Sequence, residues 1–538
     1  MKKKRFYFLS IFSGLLLAFS WPPSSFSFLI FFAFVPLLQL EQIFSLNQTS
    51  AKGVLLFGLS YLTFFIWNLY SVYWICNASL GGGAMAIIGN SLLMAMAFWI
   101  FHRSKKLLLT RGLQPRMANW LFVLFWLSFE YLHFRWDLSW PWLTLGNVFA
   151  GNHTWIQWYE YTGTSGGSLW VLVSNLLFLE WINGKSKFVF VIVAILLIPI
   201  LISLRMYTCY IEKQNPLNVV VVQPNIDPYN EKFDGMDYNA QLTKMLTLAK
   251  QKTDSTTDYL VFPETALTED IWDNDIKQTE SYNRLKDFSK PFPRLNIIVG
   301  ASTFHLYNKG EKISTTARKI NNQEKYYDSY NAALQINNTD SAQVYNKSKL
   351  VLGVERMPYP MVFGFLENLI INLGGTSGSL GTQEEPSVFK SKIKIAPVIC
   401  YESVYGEYVS EFIRKGASLI CIITNDGWWG DTEGHTQHLL YGKLRAIETR
   451  RSIARSANTG TSCFINQRGD VISPTEWWQP TVIKTTLNAN FEKTVYVQLG
   501  DSIGKFCFYV SVIILLYVTA VSLFFVKNKI NIGTHRNN

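Results

Sequence analysis

Three residues of this chain have types and settings that could do chemistry together: Glu264, Lys347 and Cys400. Glu264 follows the apolar run Leu260-Val261-Phe262-Pro263, in which the proline stops a strand ladder and fixes the backbone ahead of the carboxylate. Lys347 closes Tyr345-Asn346-Lys347, with Leu350-Val351 and then Glu355 downstream. Cys400 ends the run Ile395-Ala396-Pro397-Val398-Ile399 and is followed by Tyr401 and Glu402. Taken singly, such a Glu reads as a solvated cap, such a Lys as surface and such a Cys as inert packing. Taken together, they supply covalent acyl transfer: a thiol nucleophile, a carboxylate to take its proton and a cation for the developing oxyanion. A free thiol has a pKa of about 8.5 and is mostly protonated at neutral pH, so an adjacent base matters.

These residues must be carried on a scaffold. From 217 to 490, short β-branched runs alternate with helix-like stretches. Strands are expected at 218–223, 259–262, 296–300, 330–336, 393–399, 419–424 and 462–466, and helices at 236–252, 403–415 and 435–451. That alternation indicates an α/β layered domain. Its strand ends gather at one edge, where ligands usually bind.

The rest of the 538-residue chain is different in kind. Hydrophobic residues are 49% and charged residues 16% of the whole, and the apolar ones crowd the first 205 residues and the last 35. Runs at 6–21, 24–40, 53–75, 85–102, 118–134, 164–182, 187–204 and 506–526 are long enough to cross a bilayer as helices. The basic, apolar opening also has the look of a signal peptide, but no small-x-small cleavage site follows, so a retained first helix is expected. With the N-terminus inside, the inner segments carry fifteen Lys and Arg against three (Arg135, Arg205 and Lys213) in the short outer ones. The expected organisation is therefore an α-helical membrane bundle of about eight spans. Residues 1–205 form seven of them, 217–490 form an extracytoplasmic catalytic domain, and 506–526 close the bundle, with both termini cytoplasmic.

The net charge of +11 lies largely in the inner loops, and no basic-aromatic stripe appears, so nucleic-acid binding is not expected. None of the six cysteines forms a CxxC pair, which argues against a zinc or redox site. Cys421 and Cys463 lie in strand-like runs. They read as buried free thiols, with a disulfide between them as the alternative.

Other stretches admit two readings each. Trp136, Trp140, Trp142, Trp155 and Trp158 in the outer loop 135–163 form either an interfacial belt or a lipid entrance. Residues 359–380 form either a membrane-dipping arm or ordinary packing. Trp428 and Trp429, between the glycines of 425–434, belong to a mobile lid touching an acyl chain or to the core.

The segments Phe262-Pro263-Glu264, Tyr345-Asn346-Lys347 and Ile399-Cys400-Tyr401-Glu402 resemble the Glu-Lys-Cys triad of the nitrilase superfamily. With the spans around them, the chain is similar to that superfamily's membrane-integrated branch, the apolipoprotein N-acyltransferase family. Gln223-Pro224-Asn225-Ile226, Ser139-Trp140-Pro141-Trp142 with Leu145-Gly146, and Asn425-Asp426-Gly427-Trp428-Trp429-Gly430 also match. So do Arg445-Ala446-Ile447-Glu448 and Arg455-Ser456-Ala457-Asn458-Thr459-Gly460. Three positions depart from the family's pattern: Leu350-Val351-Leu352-Gly353-Val354-Glu355, Phe233 and His133.

The resemblance implies a nitrilase-like αββα sandwich with Glu264 as base, Cys400 as nucleophile, and Lys347 with the Tyr401 amide at the oxyanion. Glu355 and Glu402 would orient Lys347, or be plain structural carboxylates, and Asn425, Trp428 and Trp429 would touch substrate. It further implies a phospholipid acyl donor, typically phosphatidylethanolamine, a diacylated apolipoprotein acceptor, no metal or soluble cofactor, and a place in the bacterial inner membrane with the catalytic domain periplasmic. Two rivals stay open: a membrane-anchored amidase using the same triad, and a transporter with an ectodomain.

Overall fold

A backbone in lipid must satisfy its N–H and C=O groups internally, and every apolar run of the first half becomes helical. The computed structural model describes residues 2–45, 51–232, 235–320, 323–339, 341–357, 359 and 379–534. The helices of the first half are α1 (Lys2–Ser20), α2 (Val35–Ser45), α3 (Ala51–Val72), α4 (Leu80–Thr110), α5 (Pro115–His133), α6 (Tyr159–Ile182) and α7 (Phe188–Cys209). Six described stretches are long and apolar enough to cross a membrane: Ser27–Ser45, Gly53–Val72, Leu80–Thr110, Tyr159–Ile182, Phe188–Cys209 and Ser502–Phe524. The two other expected spans fall on α1 and α5. Both are helices of the same bundle, but Lys2 to Arg5 in one, and Arg116, Asn119 and Glu130 in the other, lower their hydropathy.

Polar contacts hold the bundle together. Thr63 Oγ1 donates to the Ser10 carbonyl at 2.9 Å, tying α1 to α3. Deeper, Glu41 of α2 pairs with Lys105 and with His102 Nδ1 (2.9 Å) of α4, and Lys105 also donates to Asn119 Oδ1 of α5 at 2.8 Å. All four are buried, and pairing is the condition on which ionisable groups persist among apolar helices.

The second half builds two sheets. The first runs β14 (Thr481–Asn488), β1 (Pro216–Gln223), β2 (Tyr259–Val261), β4 (Asn296–Leu306), β6 (Tyr326–Asn337) and β5 (Arg318–Lys319); β3 (Leu267–Trp272) pairs with β4 and β7 (Ala342–Asn346) with β6. The second runs β13 (Val471–Ile472), β12 (Cys463–Ile465), β11 (Ile453–Ala457), β10 (Leu419–Thr424), β9 (Lys394–Ile399) and β8 (Phe389–Lys390). In β1 the period of two divides the strand: Val220 and Val222 join the core shared with α8 (Tyr238–Lys250) and α9 (Glu280–Ser289), while Val219 and Val221 join the core shared with the other sheet. Helices α10 (Gly406–Arg414) and α11 (Glu433–Thr449) cover the second sheet, completing an α–β–β–α sandwich. Strands β9, β10 and β11 run parallel, and β10 is buried throughout. Cys421 and Cys463 are buried free thiols on β10 and β12, so they form no disulfide.

The sandwich is docked on the bundle through α11. Trp142 Nε1 donates to Gln437 Oε1 at 2.6 Å, and Gln437 Nε2 donates to the carbonyls of Pro22 and Ser71. Tyr441 donates to the Trp142 carbonyl at 2.9 Å. Trp140 and Trp142 are therefore buried junction residues rather than part of an interfacial belt, while Trp136, Trp155 and Trp158 stay half-buried. The last helix, α12 (Ser502–Thr534), returns along α5. Residues 360–378, most of the expected membrane-dipping arm, and Phe233 lie outside the described residues.

One glycine carries the geometry of a strand end. A Cβ on Gly300 of β4 would stand 2.5 Å from the Thr265 amide and 2.6 Å from Glu264 Cα. The turn after β2 thus needs a residue without a side chain beside it. Gly300→Val is expected to lower stability by about 1–3 kcal/mol through overpacking, read as a drop in the melting midpoint in detergent. An unchanged midpoint would show that the turn gives way freely.

Candidate active site

Each candidate residue arrives from a different strand end. The β2 strand stops at Val261, Phe262 still donates to the Ile298 carbonyl (2.8 Å), and after Pro263 the chain turns through Thr265 at φ 45°. Lys232 locks this turn from a neighbouring loop: its Nζ donates to the Glu264 carbonyl at 3.1 Å and to Thr265 Oγ1 at 2.5 Å. On the next strands, Lys347 follows β7 and its amide donates to the Asn331 carbonyl of β6 at 2.8 Å. Cys400 follows β9 at φ 49° and opens a 3-10 turn, Cys400–Val404, whose last carbonyls accept from Arg445 Nη1.

The side chains then converge. Lys347 Nζ donates to Glu264 Oε1 at 3.0 Å and to Glu355 Oε1 at 2.9 Å. Asn331 Nδ2 donates to the same two carboxylates at 2.7 and 3.1 Å, and the Asn425 amide donates to Glu264 Oε2 at 3.1 Å. Glu355 is anchored in turn by the Val351 amide at 2.8 Å. Glu402 does not reach the ammonium. It accepts from Ile399 N (2.9 Å), Ser348 N (2.7 Å) and Tyr345 OH (2.6 Å), bracing the segments that carry Cys400 and Lys347.

Burial sets the electrostatics. It works against charge on Lys347, but the Glu264 and Glu355 carboxylates overcome it and hold the ammonium well above its usual range. Burial also opposes charge on Glu264, yet Lys347 and Asn331 keep its carboxyl below the usual range. The Cys400 thiol goes the other way: burial pushes it up and the Glu264 carboxylate adds to that, with Lys347 pulling against both. At rest the site is a carboxylate, an ammonium and a neutral thiol. Nearby, burial lowers Lys232 to about 8, with Glu264 opposing, and burial raises Glu402 to about 7, with Tyr345 opposing.

All three groups open on one cavity of about 410 Å3. Its lining adds Asn331, Glu355 and Asn425 to the polar side, and Trp428, Trp429, Val351 and Leu380 to the apolar side. Ile75 and Ala78, from the short connection between α3 and α4, complete the wall, so the bundle itself forms part of the site. Trp429 is buried against Trp74 and Trp142 (ring centroids 4.9 and 5.8 Å), whereas Trp428 is half-buried and meets Tyr229 edge-on. Both tryptophans thus pack and line the cavity at once. The Tyr401 ring stacks on Trp140 at the junction.

Asn331 and Lys232 are not among the residues that sequence pattern singles out. Asn331 leaves a signal, a polar residue opening the apolar run Asn331-Ala332-Ala333-Leu334; Lys232, in a polar turn, leaves none.

Residues 218–495 match the carbon-nitrogen hydrolase family model, and residues 13–177 match that of the apolipoprotein N-acyltransferase N-terminal domain. Among similar curated proteins, the apolipoprotein N-acyltransferase of Chlorobaculum tepidum is 29% identical over 93% of this chain and 94% of its own. The proteins of that name from Geobacter metallireducens and Thermotoga maritima are 25% and 24% identical, over 94% and 96% of this chain and 93% of theirs. With the first match spanning half of the sequence, and the sandwich and its cavity lying within it, this chain belongs to the carbon-nitrogen hydrolase family.

Proposed function

We propose that this membrane protein is an acyltransferase of lipoprotein maturation, moving an acyl chain from a phospholipid, typically phosphatidylethanolamine, to the N-terminal amine of a diacylated apolipoprotein. The observation that carries the reading is the shared cavity: carboxylate, ammonium and thiol meet in a space partly walled by the apolar helices' own connection, at Ile75 and Ala78. A soluble amide would not need that wall. The basic inner loops favour a catalytic domain outside the cytoplasm, both termini inside, in a bacterial inner membrane.

In this mechanism Glu264 takes the Cys400 proton as the sulfur attacks the sn-1 ester carbonyl. Lys347 Nζ and the Tyr401 amide receive the tetrahedral oxyanion, a placement worth about 3 kcal/mol per donor. Collapse breaks the ester C–O bond, the leaving oxygen takes the proton back from Glu264, and a lysophospholipid departs. The acyl group stays as a thioester on Cys400, with Trp428 and Trp429 along its chain. The acceptor's free amine then attacks, Glu264 takes its proton, and the amide forms as the thiol is regenerated. Asn331 and Glu355 keep Glu264 and Lys347 charged and in place, Asn425 presents its amide to the base, and Glu402 holds the two flanking segments.

Incubation with acyl-labelled phospholipid alone is expected to leave a hydroxylamine-sensitive label on the wild-type protein and none on Cys400→Ser. Label retained by that variant would remove Cys400 as the nucleophile, and hydrolysis of small amides without lipid-derived label would favour the amidase. Adding an apolipoprotein peptide should increase its N-terminal mass by one acyl group.

The pH dependence follows from Glu264. Asn331→Leu removes a hydrogen bond that lowers the Glu264 pKa, so the base becomes protonated at a higher pH. The acid limb of kcat/KM for lipid should therefore move up relative to wild type; an unmoved limb would mean that Glu264 is not the base.

Lys347→Met strands the buried Glu264 carboxylate and the partly buried Glu355, and breaking a buried ion pair from one side costs about 3–5 kcal/mol. Both the melting midpoint and thioester formation should fall; a variant as stable and as active as wild type would refute the ion pair's role.

A further inference from the structure

Behind the cavity lies a second cluster of groups that the mechanism above does not use. Ser403 Oγ is 2.8 Å from His438 Nε2, and His438 Nδ1 is 3.0 Å from Asp426 Oδ1. These are the contacts of a serine-hydrolase triad, but the serine cannot serve as a nucleophile. It is 1% exposed, is absent from the cavity lining, and spends its hydroxyl hydrogen on the Cys400 carbonyl at 2.8 Å.

That carbonyl is the point of the cluster. His438 Nε2 lies 3.0 Å from the same oxygen, so both of its lone pairs have a partner. The carbonyl can only accept, so Nε2 is the donor in that contact; Arg455 Nη2 lies 3.2 Å from Nδ1 and can donate to the ring's other nitrogen, while Asp426 accepts from Thr424 (2.8 Å) and Arg455. Every member is buried, and α11, β10 and β11 supply His438, Thr424 and Arg455 to one oxygen's surroundings.

The Cys400 carbonyl belongs to the same peptide unit as the Tyr401 N–H. Hydrogen bonds to a carbonyl polarise its amide and strengthen the N–H as a donor. They also hold Cys400 at φ 49°, a conformation a non-glycine residue keeps only when its surroundings enforce it.

We propose that His438 and Ser403 are positioning residues for acyl transfer: through the Cys400 carbonyl they hold the nucleophile's turn and strengthen the Tyr401 amide as an oxyanion donor. The inference rests on the acyltransferase reading. His438→Gln retains an amide N–H that reaches the carbonyl, whereas His438→Leu retains none, and Ser403→Ala removes the second donor alone.

The experiment uses the full chain in detergent and measures single-turnover thioester formation from acyl-labelled phospholipid, with KM, kcat and melting midpoint. His438→Leu should slow acylation at least about tenfold, a fraction of the hundredfold or more for losing an oxyanion donor outright, with KM little changed. His438→Gln should recover most of that rate, and Ser403→Ala should lose a smaller factor at an unaltered melting midpoint. Equal losses in Leu and Gln variants, or a rate that tracks only the melting midpoint, would overturn the relay while wild-type labelling of Cys400 kept the acyltransferase reading intact. Absence of label on the wild type would overturn that reading, and the relay with it.

Discussion

A single ammonium facing two carboxylates inside a protein is an expensive arrangement, and the rest of this molecule is organised around keeping it intact. Lys347, Glu264 and Glu355 are all screened from water, where each unpaired charge would carry a desolvation penalty of several kcal/mol. The penalty is met only while the partners stay within hydrogen-bonding distance. Asn331 bridges the two acids, the Asn425 amide takes the remaining Glu264 oxygen, and Val351 takes that of Glu355. The result is a carboxylate held ionised in a setting that keeps the nearby Cys400 thiol neutral.

Keeping those partners in place falls to the sandwich. Glu264, Lys347 and Cys400 lie beyond the ends of β2, β7 and β9, and each end is held by a contact from outside its own strand: Lys232 on the Glu264 turn, Asn331 on the Lys347 amide, Arg445 on the turn after Cys400. Arg445 also pairs with Glu448, which accepts from the Thr164 amide of α6. The same helix that holds the turn after Cys400 is thereby anchored to the bundle. Membrane docking and site geometry are mechanically one object, which is why the short helix Ile75–Ala78 can serve as a wall of the cavity.

Much of this was legible in residue order. Eight apolar runs gave eight helices, six of them long and apolar enough to cross a membrane, because a segment in lipid must satisfy its backbone internally. Strands β1, β2, β4, β6, β9, β10 and β12 were visible as β-branched runs. Strand β11 was not, since Arg455 reads as a surface residue and is instead buried against Asp426. Strand β14, with Thr481, Lys484, Thr485 and Thr486, reads as polar and becomes a strand through pairing with β1. Trp140 and Trp142 looked interfacial because composition reports amphipathic character, not which surface a ring meets.

The sequence by itself determined the candidate groups of the proposed chemistry and the strand ends that bear them, because apolar runs closed by Pro263-Glu264, by Lys347 and by Cys400 are local signals. Only the tertiary structure decided that Asn331 and Lys232 belong beside them, that Glu402 braces amides rather than the ammonium, and that His438 reaches the Cys400 carbonyl. The contacts Lys232–Glu264, Asn331–Glu264, Ser348–Glu402 and His438–Cys400 join residues 32 to 67 positions apart, and nothing in a polar residue's neighbours along the chain says which buried atom it will face.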